Sequence, residues 1–170
     1  NSTLQKLRAG QPAYGIWHNT QSPHVARLLA YQGAVDWIMV DGEHSPIDTS
    51  TLSLCCSAAV DASQGKCTPM ARVAAGTIDQ IKRVLDAGAQ GVLVPLVNTP
   101  EQAAEVVQFA KYPPEGVRGN GGMLPHLGFA ANRVEYTANA NKQTMVAIQI
   151  ETRQAVDNIE AILEVPGIDC

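Results

Sequence analysis

Short apolar runs of β-forming residues alternate with longer amphipathic runs along most of the chain, and few other features restrict its fold as strongly. Strands joined through helices pair in parallel, and a parallel sheet is covered on both faces, so its strands read as near-continuous apolar segments. The first strand is predicted over 13–19 and the helix after it over 23–32, with Ser22 as N-cap, Pro23 at the first helical position and Gly33 as the stop. A second strand, 36–40, leads to Asp48, which caps a helix from Thr49 to about Ser63 carrying Leu52, Cys55, Cys56 and Ala59 on one stripe. A third strand, 68–73, is followed by a helix capped by Thr77 and running through Ala87, with Ile78, Ile81, Val84 and Leu85 at helical spacing. The fourth strand, 91–97, has Pro95 at its end, and Thr99-Pro100 opens a helix to about Lys111 that Pro113-Pro114 stops.

Residues 112–143 break the pattern. Gly116, Gly119, Gly121, Gly122, Gly128 and Pro125 give this segment loop character, and an irregular stretch of that length is expected to be functional or an interface element. Alternation resumes with a strand over 144–150 and one helix over 152–163, and Gly167-Ile168-Asp169-Cys170 reads as the start of another strand. A complete (β/α)8 barrel takes ~250 residues, or ~31 per unit, so this length corresponds to roughly five and a half units. The expectation is an α/β fold: one barrel domain over 1–170, broken off at the start of its sixth strand. A free-standing five-stranded parallel sheet is the alternative.

The chemistry is narrowed by composition. A formal charge of -4, with 12 scattered Lys and Arg, offers no concentrated basic surface for nucleic acid. Uninterrupted apolar stretches fall far below the ~20 residues that span a bilayer, so no membrane partner is expected. No charged and apolar leader is visible, and Cys55, Cys56, Cys67 and Cys170 form no CxxC pair, so reduced thiols and a cytoplasmic location are expected.

In parallel α/β folds, the C-terminal ends of the strands converge on the active site. Those positions hold His18, then Asp41-Gly42-Glu43-His44, then Arg72, Pro95, Gln149 and Glu151. Glu151 at a strand mouth suits a hard cation, although taken alone it is also an ordinary acid at a helix N-terminus. Arg72 offers a planar fork for a carboxylate or enolate oxygen, and His44 is the natural proton carrier. Asp86, near the end of its helix, can orient His44 only if the fold joins them. These parts suit carbanion chemistry next to a carbonyl. Gly119 to Gly122 lacks the Lys-Ser/Thr ending of a phosphate loop, so nucleotide binding is rejected.

Several segments, in order, closely resemble the HpcH/HpaI aldolase family: Asp36-Trp37-Ile38-Met39-Val40-Asp41-Gly42-Glu43-His44, Arg72, and Arg83-Val84-Leu85-Asp86-Ala87-Gly88-Ala89-Gln90. They continue with Val94-Pro95-Leu96-Val97, Tyr112-Pro113-Pro114 with Gly116-Val117-Arg118-Gly119, and Gln149-Ile150-Glu151-Thr152-Arg153. The likeness runs from about Tyr14 to Asp169. It implies a (β/α)8 TIM barrel of the phosphoenolpyruvate/pyruvate type, forming homo-oligomers and acting on a small 2-oxo acid through the enolate of pyruvate. By motif, Glu151 is implied as a ligand of Mg2+ (or Mn2+ or Co2+), Arg72 as the group holding the keto or enolate oxygen, His44 as the base working with Asp86, and Gln149 as a substrate-binding partner.

The resemblance leaves three activities open: aldol cleavage or condensation of 4-hydroxy-2-oxo acids; decarboxylation of oxaloacetate with addition of the enolate to a 2-pyrone, as in the macrophomate synthase branch; or a non-catalytic truncated relative. The family's second metal-binding carboxylate follows the sixth strand in a Gly-Pro-Ala/Asn-Asp segment, which is expected beyond Cys170.

Overall fold

The computed structural model describes residues 1–122, 124–126 and 132–170. Gly128, one of the loop glycines, lies outside the described residues. Among those described, helix α1 (Ser2–Arg8) precedes an alternating series: β1 (Gly15–His18), α2 (Pro23–Tyr31), β2 (Trp37–Asp41), α3 (Thr49–Ser63), β3 (Thr68–Arg72), α4 (Ile78–Asp86), β4 (Gly91–Val94) and α5 (Pro100–Ala110). Helix α6 (Arg133–Gln143), β5 (Met145–Ile148), α7 (Arg153–Asp157) and α8 (Ile159–Leu163) complete it. The strands form one sheet in the order β1-β2-β3-β4-β5, with every neighbouring pair parallel. Beyond β5, Asp169 N donates to Val146 O at 2.8 Å and Ile148 N donates to Cys170 O at 3.0 Å, so the last residues begin to pair as a sixth strand would. The chain is an α/β fold covering about five and a half units of a (β/α)8-type barrel.

Strand parity divides the core into two layers. Ile38, Val40, Ala71, Val92, Val94 and Val146 face the helices and pack with Leu52, Cys55, Cys56, Ala59, Ile81, Leu85 and Val106. The alternate residues Met39, Met70, Leu93, Met145 and Ala147 face the inside of the curved sheet and close over Leu4 of α1. Helix α1, which no periodicity in the sequence announced, fastens the N-terminal side of the sheet. Asn1 Nδ2 donates to Gln90 O and Gln143 O, each at 3.0 Å, and Thr3 Oγ1 donates to Asp36 O at 2.9 Å.

Most caps lie where the sequence puts them. Ser22, Asp48 and Thr99 each accept a backbone N–H of the first turn they precede. Two expectations need correction. The second half of the 112–143 segment is helical: Asn132 accepts the N–H of Glu135, Tyr136 and Ala140 bury one face, and buried Lys111 Nζ donates to Asn141 O and Thr144 O at 2.7 Å each. That helix has almost no apolar stripe to advertise it. The single helix expected over 152–163 is two, divided at Asn158, whose Nδ2 donates to Asn98 O at 2.8 Å. Among the described residues, no helix is long and apolar enough to cross a membrane.

Candidate active site

Counting inward positions along β2 from Met39 puts Asp41 inside the sheet at its C-terminal end, and the same count along β3 from Met70 puts Arg72 beside it. The two form a fork-on-fork pair: Arg72 Nε donates to Asp41 Oδ1 at 2.9 Å and Nη2 donates to Oδ2 at 2.7 Å. Asp41 is fully buried and also accepts Asn19 Nδ2 at 2.9 Å and the backbone N–H groups of Glu43 and His44 at 3.0 and 3.2 Å. Burial opposes its ionisation, yet the Arg72 bond and these two N–H groups outweigh burial and hold its pKa well below the usual carboxylate range. The Asp41 bond likewise raises the pKa of Arg72, so the guanidinium stays charged despite burial.

The turn after β2 needs glycine for a steric reason. Gly42 N donates to Arg72 O at 2.8 Å, and a Cβ at Gly42 would lie 2.7 Å from that same oxygen. The close approach sends Glu43 back over Arg72, with Oε2 at 3.0 Å from Nη1 in an ion pair. Its other oxygen, Oε1, lies 3.6 Å from His44 Nε2, and the imidazole is largely exposed at the sheet mouth. Trp17, inward-facing on β1, covers the guanidinium from the other side, with Arg72 Cζ 5.0 Å from its ring centroid. Trp17 was not among the strand-end positions, and inward parity singles it out; Glu43 was among them, without a role assigned to it.

Gln149 and Glu151 follow β5. Glu151 Oε2 accepts the N–H of Leu96 at 2.9 Å, and Gln149 Nε2 donates to Glu151 Oε1 at 3.4 Å. Gln149 Oε1 is buried with no hydrogen-bond partner among the described residues. Pro95 is buried just past β4, and Leu96 beyond it adopts a left-handed conformation, φ 56°. Glu151 adds to the charges that keep Arg72 protonated, which puts the two residues in one electrostatic neighbourhood.

His18 and Asp86 are placed differently. His18 is one residue past the inward-facing Trp17 and pairs in register with Val40, so it faces the helices: it is buried, with Nε2 3.6 Å from Cys55 Sγ on α3. Burial lowers its pKa. Asp86 Oδ1 accepts Arg118 Nη2 at 3.0 Å, and the buried Arg118 rests on the Tyr112 ring, Cζ to centroid 4.5 Å, while Nη1 donates to Tyr136 Oη at 3.3 Å. Asp86 thus pairs with Arg118, and His44 pairs with Glu43.

Among the described residues, no group of three or more His, Cys, Asp and Glu is gathered to hold a metal ion. The donors that are present nonetheless fit a hard cation: the Glu151 carboxylate and the buried Gln149 Oε1, which has no hydrogen-bond partner among the described residues, are oxygens of the kind Mg2+ prefers, on side chains in contact through Gln149 Nε2.

Proteins of similar sequence and fold identify the family. Residues 13–170 match the family model described as HpcH/HpaI aldolase/citrate lyase. The chain is 36% identical over 170 residues to the hydroxypyruvate/pyruvate aldolase of Roseovarius nubinhibens, covering 99% of this chain and 64% of that protein. It is 39% identical over 170 residues to the 4-hydroxy-2-oxo-heptane-1,7-dioate aldolase of Escherichia coli, covering 99% of this chain and 63% of that protein. The chain therefore spans a little under two thirds of the length of these relatives. The crystal structure of an HpcH/HpaI aldolase/citrate lyase family protein from Burkholderia cenocepacia J2315 superposes with a TM-score of 0.90 at 35% identity, covering 100% of this chain and 67% of that one. These matches over nearly the whole chain show that it belongs to the HpcH/HpaI aldolase/citrate lyase family.

Proposed function

We propose that the protein is a divalent-metal-dependent carbon–carbon lyase that cleaves or forms 4-hydroxy-2-oxo acids through the enolate of pyruvate. The observation that carries this reading is Arg72, a charged and buried guanidinium clamped by Asp41 at the mouth of the sheet in the neighbourhood of Glu151. Nε and one N–H of Nη2 are spent on Asp41 and Nη1 faces Glu43, which leaves N–H groups on Nη1 and Nη2 for a substrate oxygen. They would meet the 2-oxo oxygen, where negative charge grows as the bond breaks. Because Asp41 fixes the plane in advance, that stabilisation needs no reorganisation during the reaction.

Glu151 and Gln149 would hold Mg2+, Mn2+ or Co2+ with a second carboxylate that the family pattern carries C-terminal to position 170. When bound, such a cation polarises the substrate carbonyl and shares the oxyanion charge with Arg72. In the cleavage direction, the base takes the proton of the C4 hydroxyl, the C3–C4 bond breaks, the aldehyde leaves, and C3 of the enolate accepts a proton to give pyruvate. His44 fills the role of base: it is exposed at the mouth and lies beside Glu43, which can orient its ring. The family pattern assigns Asp86 as the partner of His44, and in this chain Asp86 is tied to Arg118. The working unit is a single barrel domain, and homo-oligomers follow from the same family reading.

The test is loss of the pyruvate methyl signal in D2O, followed by NMR. Exchange that requires Mg2+ or Mn2+ and stops with EDTA supports the reading. No exchange with any of the divalent metals overturns it.

A further inference from the structure

We propose that Asn98 is a positioning residue for the Glu151 carboxylate, acting through the backbone of Leu96. The inference rests on Glu151 being the working carboxylate of the proposed function, and it names what aims it.

Three bonds close a ring around that carboxylate. Leu96 N donates to Glu151 Oε2 at 2.9 Å. Asn98 Nδ2 donates to Leu96 O at 2.9 Å. Thr152 Oγ1, on the residue directly after Glu151, donates to Asn98 Oδ1. One side-chain amide thereby ties the peptide that holds the carboxylate to the residue that follows it in sequence.

The conformation of Leu96 makes that tie necessary. Its φ of 56° lies in the left-handed region, which a leucine adopts only where its surroundings impose it. The residue is 55% exposed, so packing of the leucyl group does not do the imposing. The constraint comes from either side: buried Pro95 before it, and after it the Asn98 amide on its carbonyl. If Leu96 relaxes to an ordinary φ, its N–H turns and Glu151 Oε2 loses the donor.

Asn98 is itself held at both backbone ends, its N donating to Gln102 Oε1 at 2.7 Å and its O accepting Asn158 Nδ2 at 2.8 Å. The second of these is the contact that divides α7 from α8. The geometry thus anchors the Glu151 carboxylate to the starts of both α5 and α7, and the sequence requirement at position 98 is an amide that donates and accepts at once. Aspartate keeps the acceptor for Thr152 but sets a carboxylate against the Leu96 carbonyl.

The experiment has a metal-free arm and a metal arm, on Asn98→Ala, Asn98→Asp, Glu151→Gln and the double variant Asn98→Ala/Leu96→Gly. In 15N-labelled protein without metal, Asn98→Ala and Asn98→Asp are expected to speed amide exchange at Leu96 by tenfold or more, with exchange in β4 and β5 unchanged. Free Mn2+ read by electron paramagnetic resonance is expected to show weakened binding by both, on the order of tenfold, as loss of an orienting partner does. Glycine at position 96 lets the left-handed conformation form without Asn98, so the double variant should regain part of the Mn2+ affinity. Wild-type exchange at Leu96 in both Asn98 variants overturns the proposal. Wild-type Mn2+ binding in Glu151→Gln overturns the metal assignment instead, while the exchange arm still decides the role of Asn98.

Discussion

Arg72 and Asp41 meet through two parallel N–H···O bonds of 2.9 and 2.7 Å, on adjacent strands at positions paired in register, with the carboxylate fully buried. Sheet register brings their backbones level and shared inward parity brings the side chains together, so the pair is preorganised by the strands rather than by a loop. Removing the charge from one partner leaves the other buried and poorly compensated. Asp41→Asn is expected to cost about 3 kcal/mol of stability, measured as a shift in the urea midpoint with unchanged slope.

The same pair sets a pH dependence. The Asp41 pKa is depressed in the folded protein, so the pair's contribution is complete above the ordinary carboxylate pKa of about 4 and is lost as pH falls below it toward the folded value. Urea midpoints should therefore drop steeply below about pH 4. Asp41→Asn should flatten that acid limb relative to the parent protein. An identical limb in both would show that other carboxylates, such as Asp36 beside Lys6, carry the effect.

Replacement of Arg72 by Lys keeps a positive charge but cannot reproduce the fork, since a single ammonium cannot span both Asp41 oxygens and still present two N–H groups outward. Metal-dependent exchange of pyruvate protons is expected to fall by roughly 10²–10³-fold, the scale set by loss of one oxyanion donor. Wild-type exchange rates in that variant are incompatible with Arg72 holding the reacting oxygen.

The buried thiols should be inert in the folded protein. Burial pushes Cys55 up to about 11 and Cys67 up to about 12, and it raises Cys56 as well, so almost no thiolate exists at neutral pH. Mass spectrometry after brief iodoacetamide treatment at pH 8 should find these three unmodified until urea is added. Modification of Cys55 without denaturant would mean that the β1–α3 contact opens.

Asp86 is expected to have a stability role separable from chemistry. Asp86→Asn removes the carboxylate charge from Arg118, whose side chain is fully buried and, among the described residues, otherwise meets Tyr136 Oη and the Tyr112 ring. Because Asp86 is partly solvated, the expected loss is about 2 kcal/mol, below the value for a fully buried pair. Thermal unfolding checks it. A variant that keeps its melting temperature but loses proton exchange would assign Asp86 to proton transfer instead.

Most elements could be read from the sequence because their signals are local. Ser22, Asp48 and Thr99 cap where hydroxyl or carboxylate precedes a helical run, and apolar runs such as Ile38–Met39–Val40 mark strands buried on both faces. What failed to show is tertiary. Helix α6 depends on a buried lysine from the end of α5 and on only two buried side chains of its own. The Asn158 break depends on an acceptor 60 residues away. His18 lies at a strand end as expected, but the two-residue period of the strand turns it toward α3, while its neighbour Trp17 takes the inward place over Arg72. Strand ends identified the candidate site; parity decided which side chains enter it. The Leu96 conformation had no sequence cue, because a leucine in the left-handed region is the opposite of what its residue type favours.

Helix α1 also constrains the order in which the molecule can assemble. Its docking surface is composite: Asp36, Thr68, Gln90 and Gln143 contribute acceptors or contacts to it, and Met39, Met70, Leu93 and Met145 form the apolar seat of Leu4. Helix α1 therefore has nowhere to bind until well over a hundred residues C-terminal to it have emerged and the strands have paired. Its contacts are among the most distant in sequence among the described residues, so α1 should become protected only after the strands it docks on, a late latch on a sheet already paired.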